Sequence, residues 1–479
     1  MKVLNVDVAV IGAGTAGLAA YRAAKTAGAK VALIEGGEYG TTCARVGCMP
    51  SKLLIAAAEA VHAAQLAPGF GIHIEGKIRV DGREVMARLR SERDRFVGFV
   101  VRDVERIPDT DRIRGHARFE NDRTLIVDDA LRITATSVVI ATGSRVTYPD
   151  AFKKLGDRLV INDDVFDWTD LPESVAVIGP GVIGLELGQA LHRLGVRVAI
   201  LGRGGRVGPI ADPEIRAYAI QALSSELVLE PDAHFVSMDR EGDRVAIRRK
   251  DADGVERTEH FDYVLATTGR SPNVDRIGLE NTTVDRDASG VPVFDATTGQ
   301  TVNAAGASSI FVAGDASNFI PLLHEAADEG RIAGENAVRV AAGKPVARGI
   351  RRAPLGVVFT DPQIAIVGGG WQALEQGRFV TGQVSFEDQG RSRVILKNKG
   401  LLNVYGDIAT GRLLGAEMIG PAAEHLGHLL AWALQNQMTI QEMLEMPFYH
   451  PVIEEGLRTA LRDLDAKLRS AQAHATKAA

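Results

Sequence analysis

Short apolar runs alternate along the chain with longer segments in which apolar residues recur at helical spacing. Residues 6–11 form a short, mostly β-branched run that is apolar except for Asp7, which is typical of a parallel strand buried on both faces. A glycine-rich turn follows, then an alanine-rich helix over about 18–27 and a second strand over 31–34. The pattern therefore predicts a β-α-β unit at the start of the chain.

The same pattern returns about 170 residues further on. A strand over 175–178 runs into a second glycine-rich turn, a helix over 183–194 and a strand over 197–201. Two such units predict an α/β fold with two Rossmann-type dinucleotide-binding domains rather than a short-period repeat. From about residue 351 the pattern changes to strands followed by helices, which predicts a further C-terminal α+β domain.

Composition limits the classes of partner. The 479 residues include 55 basic and 61 acidic side chains, a net charge of −6, so nucleic acid is not expected as a partner. Only two cysteines are present, too few for a four-cysteine zinc site, and the eleven histidines show no metal-ligand spacing, so no metal site is predicted.

No targeting or membrane segment is evident. The longest apolar stretch, over 53–64, is interrupted by Glu59 and His62 and is shorter than a bilayer span. The N-terminus leads directly into a strand without a charged leader and apolar run. We therefore expect no membrane association and a reducing, cytoplasmic location.

The first glycine-rich turn has the G-x-G-x-x-G spacing of a dinucleotide site, with Gly12, Gly14 and Gly17 between a strand and a helix. The first glycine permits the tight turn, the second lets a pyrophosphate approach the backbone, and the third lets the helix pack on the strand. Glu35 ends the next strand, where a carboxylate binds ribose hydroxyls. These features together predict dinucleotide binding.

The second turn repeats the spacing at Gly179, Gly181 and Gly184, but the acid is missing. Gly202 takes its place, Arg203 follows and Arg206 is close by. An arginine there favours the 2′-phosphate of NADPH over the free hydroxyl of NADH. Two observations keep NADH open. Arg203 and Arg206 can be solvated loop charges, and a glycine at the third position, here Gly184, is more usual for NADH.

Cys43 and Cys48 lie five positions apart in one predicted loop. A disulfide closing so short a loop stabilises little, about 2 kcal/mol in the loop-entropy picture. Pro50 and the apolar run after it predict a helix start near Cys48, where the helix dipole favours a thiolate, and Lys52 adds a positive charge one turn on. The pair is therefore predicted to be redox-active rather than a structural staple or two inert thiols.

Near the C-terminus His450 precedes a proline, and Glu455 follows five positions later. A histidine acting as a general base needs an orienting carboxylate, which Glu455 can provide. A histidine before a proline is more often a loop or packing residue. The interpretation of His450 as a base therefore depends on the motifs that precede it in the chain.

The combination of Cys-x4-Cys, two dinucleotide units and a C-terminal His-Pro resembles the flavoprotein (pyridine nucleotide) disulfide oxidoreductase family, most closely its dihydrolipoamide dehydrogenase branch. The resemblance covers about 6–464. It implies an FAD-dependent dithiol–disulfide oxidoreductase, with electrons passing between NADH or NADPH, the flavin, the two cysteines and a small lipoamide-like substrate.

The resemblance also assigns roles. Cys43 would meet the substrate and Cys48 the flavin, Lys52 would lie near the flavin, and His450, held by Glu455, would be the base contributed across a homodimer. The FAD segments would contain Gly12, Gly14, Gly17, Glu35, Thr42, Lys52, Ala141, Thr142, Gly143, Gly314 and Asp315. The nicotinamide-nucleotide segments would contain Gly179, Gly181, Gly184, Glu186, Arg203, Gly269 and Arg270.

The family arrangement implies four chain segments: 1–148 and 269–349 for FAD, 149–268 for NAD(P), and 350–479 for dimerisation.

Two further interpretations of the function remain open. One is an NADPH-dependent reductase of glutathione disulfide or another small disulfide, which Arg203 favours. The other is a structural or docking subunit of a 2-oxo acid dehydrogenase complex, which the complete set of redox residues disfavours.

Overall fold

The computed structural model describes residues 1–250 and 253–478. The chain divides into two compact units, each assembled from three stretches. Unit 1 contains residues 1–50, 89–147 and 269–351, and unit 2 contains 51–88, 148–268 and 352–479.

The strands follow in chain order: β1 Lys2–Ile11, β2 Val31–Glu35, β3 Arg112–Arg114, β4 Ala117–Asn121, β5 Thr124–Val127, β6 Leu131–Ile140, β7 Ser144–Val146, β8 Leu159–Val160, β9 Ser174–Ile178, β10 Arg197–Leu201, β11 Val228–Glu230, β12 His234–Glu241, β13 Arg244–Lys250, β14 Glu256–Phe261, β15 Tyr263–Ala266, β16 Arg270–Pro272, β17 Gln300–Asn303, β18 Gly306–Val312, β19 Leu355–Val358, β20 Gln363–Gly368, β21 Phe379–Ser385, β22 Leu401–Asp407 and β23 Leu413–Gly420.

The α-helices are α1 Thr15–Thr26, α2 Thr42–Val46, α3 Cys48–Leu66, α4 Gly82–Glu105, α5 Asn162–Val165, α6 Val182–Arg193, α7 Pro213–Ser224, α8 Leu323–Ala341, α9 Gly390–Val394, α10 Ala423–Gln435, α11 Ile440–Glu445 and α12 Glu454–Ala478. Short 3₁₀ segments occur at Ala67–Phe70, Asp150–Arg158, Leu279–Asn281, Gly314–Ser317 and Trp371–Ala373.

Unit 1 is built on one mixed sheet in the order β17-β18-β6-β1-β2-β3, with β4 and β5 extending it by antiparallel pairing. The neighbours β18, β6, β1, β2 and β3 are parallel. The carboxyl ends of β1, β6 and β18 therefore meet at one edge of the sheet, where open α/β sheets bind their ligands.

Helices α1 and α8 pack closely in unit 1 because two residues of α8 at their contact are glycines, which have no side chain. A Cβ on Gly330 would lie 2.1 Å from the carbonyl oxygen of Ala16, and one on Gly334 would lie 2.4 Å from that of Ala20. The apolar face of α1 is buried at the same time. This packing fixes the position of the α1 N-terminus above the carboxyl edge of the sheet.

Unit 2 holds a parallel sheet in the order β11-β10-β9-β15-β8, with a three-stranded antiparallel sheet β12-β13-β14. A second five-stranded sheet, β19-β20-β23-β22-β21, is antiparallel throughout. Its core is apolar and combines this sheet with residues of α10, α11 and α12. The predicted α/β class with a C-terminal α+β region is confirmed.

The predicted elements are found with shifted ends. The first β-α-β unit is β1-α1-β2 and the second is β9-α6-β10. The segment around Cys43, which was expected to be a loop, instead forms the short helix α2. The side chain of Thr41 caps α2 by accepting the amide N–H of Ala44 at 3.3 Å, a local signal that the sequence interpretation overlooked.

The observed units group the chain differently from the predicted segments. The chain passes from one unit to the other after residues 147, 268 and 351, and residues 51–88 belong to unit 2. The predicted segments 1–148, 149–268, 269–349 and 350–479 describe family domains rather than packing units, and their boundaries stay predictions.

One helical stretch of the described residues, Thr42–Phe70, is long and apolar enough to cross a membrane by length and composition. The stretch is longer than the apolar run over 53–64, because the helix continues past Glu59 and His62, and the expectation of no membrane association stays a prediction. A single stretch of this kind is weak evidence for a membrane, since the core helix of a soluble protein passes the same test.

Candidate active site

The first glycine-rich turn of unit 1 has a geometry that fits a pyrophosphate. Gly12 has φ +107° and a Cβ there would lie 2.3 Å from the carbonyl oxygen of Ala141, whereas a Cβ on Gly17 would lie 1.8 Å from that of Gly12. Above Gly14 no atom lies within 4 Å of a Cβ position. Gly14 also starts α1 without a side-chain cap, so backbone N–H groups are available to an anion.

Glu35 ends β2 beside this turn and binds backbone on both sides. Its Oε2 accepts the N–H of Ala13 at 2.7 Å and its Oε1 accepts the N–H of Gly37 at 2.7 Å. Each carboxylate oxygen retains a further acceptor position for a ribose hydroxyl. The carboxylate is therefore held in the orientation that the proposed ribose contact needs.

Two buried hydroxyls, in the segments that follow β2 and β6, have no hydrogen-bond partner among the described residues. They are the hydroxyl oxygens of Tyr39 and Thr142. Thr142 follows β6 in the Ala141–Gly143 segment assigned to FAD, and Tyr39 lies in the loop after β2. Buried polar groups are normally paired, so both hydroxyls indicate that a polar ligand completes this part of unit 1.

Asp315 and Arg270 meet at the side chain of Ser144. Ser144 Oγ donates to Asp315 Oδ2 at 2.6 Å, and Arg270 donates to the Oγ and the carbonyl oxygen of Ser144 at 2.8 Å each. The resemblance assigned Gly269 and Arg270 to the nicotinamide nucleotide, but the structure places both in unit 1 with the FAD-type residues. Ser144 was not predicted as a site residue.

Glu329 binds the 3₁₀ segment Gly314–Ser317, which contains the predicted FAD residues Gly314 and Asp315. Its Oε2 accepts the N–H of Gly314 at 2.8 Å and lies 3.3 Å from Ser317 Oγ. Burial raises the pKa of Glu329, although Arg351 and these hydrogen bonds act in the opposite direction. Arg351 also pairs with Glu325 at 2.6 Å, so a buried charge cluster anchors the start of α8.

The cysteines occupy two consecutive helices. Cys43 is half-buried in α2, and Cys48 is exposed and is the first residue of α3. Gly47 joins the helices, and a Cβ there would lie 3.1 Å from Cys43 Cα. The predicted placement of Cys48 at a helix N-terminus is confirmed, and Thr42 is the first residue of α2.

The second glycine-rich turn, in unit 2, repeats the first. Gly179 has φ +111°, and a Cβ on Gly184 would lie 2.1 Å from the carbonyl oxygen of Gly179. Gly181 has no atom within 4 Å of its Cβ position and starts α6 without a side-chain cap. The residues of this turn fit a second dinucleotide.

Packing accounts for the missing acid after β10. A Cβ on Gly202 would lie 2.6 Å from both Pro180 Cδ and the carbonyl oxygen of Pro231, so no side chain fits there. Arg203, the next residue, lies over the ring of Phe235 at 5.4 Å. It lines an open cavity of about 470 Å³ together with Asp232, Ala233, His234, Phe235, Val236 and Lys250.

Lys52 and Glu186 form an ion pair in unit 2, with 2.7 Å between Lys52 Nζ and Glu186 Oε2. Glu186 is 4% exposed, and its other oxygen accepts the N–H of Phe359 at 2.9 Å. Lys52 Nζ also lies 4.6 Å from the centroid of the Phe359 ring. The structure thus brings together two predicted residues and adds Phe359.

His450 and Glu455 are paired as predicted. His450 Nδ1 lies 3.0 and 3.1 Å from the two carboxylate oxygens of Glu455, and the imidazole is 81% exposed. The hydrogen bond with His450 and a second one from the N–H of Val452 lower the pKa of Glu455. The exposed imidazole has the acceptor nitrogen Nε2 available for a proton when Nδ1 carries the hydrogen.

Two family matches cover most of the chain. The family described as "Pyridine nucleotide-disulphide oxidoreductase" matches residues 6–330, and its dimerisation domain matches 355–461. The chain therefore belongs to the pyridine nucleotide-disulphide oxidoreductase family. It is an enzyme that uses FAD and NAD(P)H and acts on sulfur groups, and the dimerisation domain makes it a homodimer.

Similar proteins agree in length as well as in sequence. A dihydrolipoyl dehydrogenase of Thermus scotoductus is 32% identical, covering 96% of this chain and 97% of the relative. A mercuric reductase of Staphylococcus aureus is 30% identical, covering 96% and 82%. The solved structure of LpdA from Mycobacterium tuberculosis has a TM-score of 0.79 at 25% identity, covering 95% and 99%. The chain is dihydrolipoyl dehydrogenase-like within its family.

The sequence did not predict the residues that hydrogen-bond to the motif residues. Ser144, Glu329 and Phe359 each bond to a predicted residue, but none belongs to a spaced motif. Glu329 is one of four acidic residues in α8, so the sequence does not distinguish it from the other three. Among the described residues no group of three or more histidine, cysteine or acidic side chains is arranged to hold a metal ion.

Proposed function

We propose that the protein reduces a small disulfide with NADPH, or oxidises the corresponding dithiol, through FAD and the pair Cys43 and Cys48. The observation that carries the proposal is the placement of both cysteines at consecutive helix starts in the unit that has the open FAD-type turn. In the reductive direction NADPH and one proton convert one disulfide into two thiols and NADP⁺. When bound, FAD accepts the hydride and passes two electrons on.

The protein residues supply position and proton transfer. Gly14 and the N-terminus of α1 would hold the pyrophosphate, and Glu35 the ribose. Cys43 would form a mixed disulfide with one substrate sulfur, and Cys48 would displace that sulfur by closing the internal disulfide. His450, oriented by Glu455, would deliver a proton to the departing thiolate or take one from the attacking thiol.

The nucleotide preference is proposed from the cavity beside Gly202. Arg203, His234 and Lys250 bring positive or protonatable groups to this cavity, with Asp232 as the one acid in its lining. Asp232 is engaged by the N–H of Gly204 at 2.7 Å. Gly202 excludes a carboxylate that would repel phosphate. The lining of this cavity therefore favours the 2′-phosphate of NADPH.

Substrate class is proposed from the relatives. Several of them are dihydrolipoyl dehydrogenases at about 30% identity over nearly the whole length, which supports a lipoamide-like dithiol. An acidic disulfide such as that of glutathione is the second candidate, supported by the NADPH-type cavity. Docking on a 2-oxo acid dehydrogenase complex and a cytoplasmic location stay predictions, tested by co-purification with the complex core and by cell fractionation.

Steady-state kinetics of the FAD-loaded enzyme test the proposal. Lipoamide and glutathione disulfide are each supplied with NADPH and with NADH. We expect higher kcat/KM with NADPH, a loss of disulfide turnover in Cys43→Ser and Cys48→Ser, and retained flavin reduction by NADPH in Cys43→Ser. Full disulfide turnover in either cysteine variant would refute the thiol relay.

A separate comparison tests the nucleotide assignment. Arg203→Ala removes a charged hydrogen-bond donor, which should lower the NADPH over NADH preference by about tenfold or more. Arg206→Ala is the matched control, since Arg206 lies three residues on and does not line the cavity. An NADH preference in the unmodified enzyme, or equal effects of both variants, would contradict the assignment.

A further inference from the structure

One face of α6 carries three polar side chains that are almost completely buried. Glu186, Gln189 and Arg193 are separated by three and four residues, so they lie on the same side of the helix. Their exposed fractions are 4%, 4% and 6%. Buried polar groups of this kind need specific partners.

All three side chains bind the same short segment, residues 359–361, between β19 and β20. Gln189 makes a two-point contact: its Oε1 accepts the N–H of Asp361 at 2.7 Å, and its Nε2 donates to the carbonyl oxygen of Asp361 at 2.8 Å. Arg193 reaches Asp361 Oδ2 at 3.3 Å. The amide of Gln189 thereby fixes both backbone polar groups of Asp361.

The other end of this segment holds Lys52. The N–H of Phe359 is bound by Glu186, and the Phe359 ring lies 4.6 Å from Lys52 Nζ. Glu186 binds the same Nζ at 2.7 Å. The ammonium is therefore held between a carboxylate and an aromatic face, and both depend on where 359–361 lies.

Glu226 completes the support of this arrangement. It accepts from Arg193 Nε at 2.6 Å and from Gln189 Nε2 at 3.0 Å. Gln189 therefore uses its amide group for three contacts: two to the backbone of Asp361 and one to a paired carboxylate. A leucine of similar size would lose all three contacts, and a glutamate would lose both donor contacts.

We infer that Gln189 is a positioning residue for the redox centre: through residues 359–361 it places the Lys52 ammonium, and thereby sets the positive charge that acts on the bound flavin. The inference rests on the proposed function and on the assignment of Lys52 to the flavin, which the family resemblance implies. It adds Gln189 and Phe359 to the residues that determine electron transfer, although neither belongs to a sequence motif.

A role limited to packing predicts a different outcome. If Gln189 only joined α6 to the β19–β20 connection, its replacement would lower thermal stability without changing the flavin. Asn403 provides the matched control, because it is a buried amide of the same unit, 1% exposed and bound to Asp212 at 2.9 Å. Asn403→Leu should destabilise the fold and leave the flavin midpoint potential unchanged.

The experiment measures the flavin midpoint potential by dye equilibration, and the rate constant for flavin reduction by NADPH, in purified FAD-loaded enzyme. We expect Gln189→Leu to make the potential more negative, because a displaced ammonium stabilises the reduced flavin less. The reduction rate should fall about ten- to hundredfold, as expected for misplacement of a positioned group. Phe359→Leu keeps the backbone N–H but removes the ring, and should shift the potential in the same direction.

The double variant with Lys52→Met isolates the mechanism. In the Lys52→Met background, adding Gln189→Leu should produce no further change in potential. The inference would be overturned if folded Gln189→Leu and Phe359→Leu enzymes kept the unmodified flavin potential. It would also be overturned if Gln189→Leu still shifted the potential in the Lys52→Met background. Because dye equilibration needs no disulfide substrate, its result is separate from that of the turnover assay: an enzyme inactive on all disulfides would refute the proposed function instead.

Discussion

The imidazole of His450 and the carboxylate of Glu455 form a paired contact, with Nδ1 at 3.0 Å from Oε1 and 3.1 Å from Oε2. Glu455 lies in the first turn of α12, where the helix dipole also favours a negative charge. The pair is exposed at its imidazole end. Nε2 is therefore the atom that can exchange a proton with a substrate.

Replacing the histidine should affect only the disulfide half of the reaction. We expect His450→Gln to lower kcat with a disulfide by about 10²–10⁴-fold, the usual contribution of a general acid–base group. Glu455→Gln should cause a smaller loss, because the base remains but is less well oriented. Stopped-flow reduction of the flavin by NADPH should stay unchanged in both, and a parallel loss there would contradict the assignment.

The open position in the first glycine turn predicts a contrast between two alanine variants. Gly14→Ala should fold normally, since no atom lies within 4 Å of the added Cβ, but it should bind FAD more weakly because the methyl fills the space for the pyrophosphate. Gly17→Ala should destabilise unit 1 itself, because its Cβ would lie 1.8 Å from the carbonyl oxygen of Gly12. Thermal melting of the apoproteins and FAD titration separate the two effects.

A buried carboxylate in unit 2 predicts a loss of stability without a loss of chemistry. Glu417 is 0% exposed and accepts the N–H groups of Ala211, Asp212 and Trp371 at 2.7–2.9 Å. Glu417→Gln replaces an acceptor by a donor facing these groups, which should cost about 1–3 kcal/mol. We expect a lower melting temperature, whereas Glu375→Gln, at an exposed ion pair, should leave it nearly unchanged.

The pH dependence of stability should contain a contribution from Glu226. Burial alone would raise the pKa of this carboxyl, but the hydrogen bond and charge of Arg193 outweigh it, and the pKa is lowered. A lowered pKa gives a contribution that is present above the unfolded value, about 4.3, and is lost as the pH falls through the folded value. The melting-temperature difference between the unmodified protein and Glu226→Gln should therefore be constant from pH 8 to about 5.5 and shrink at lower pH. A difference that grew on acidification would contradict this sign.

The sequence predicted what depends on short-range pattern. Both β-α-β units, their glycine turns and the start of α3 at Cys48 follow from hydrophobic periodicity and local turn chemistry. The pairing of His450 with Glu455 followed from a separation of five residues. These features depend on neighbours in the chain, so one sequence is sufficient to predict them.

The sequence could not predict contacts that long-range packing creates. Residues 359–361 reach Glu186 and Gln189 across about 170 positions, and Arg270 reaches Ser144 across 126. Nothing in the local pattern around Gln189 distinguishes it from an ordinary helical glutamine. Its proposed role depends on a backbone segment that connects β19 and β20, two strands of one sheet far along the chain.

The packing at Gly202 has a consequence for redesign of the nucleotide preference. A single exchange to an acidic residue at this position would collide with Pro180 and with the chain at Pro231. Changing the coenzyme would therefore need at least one compensating substitution to enlarge the space. An acidic side chain introduced at Gly202 alone would strain this turn, so the space beside Pro180 and Pro231 would have to be enlarged first.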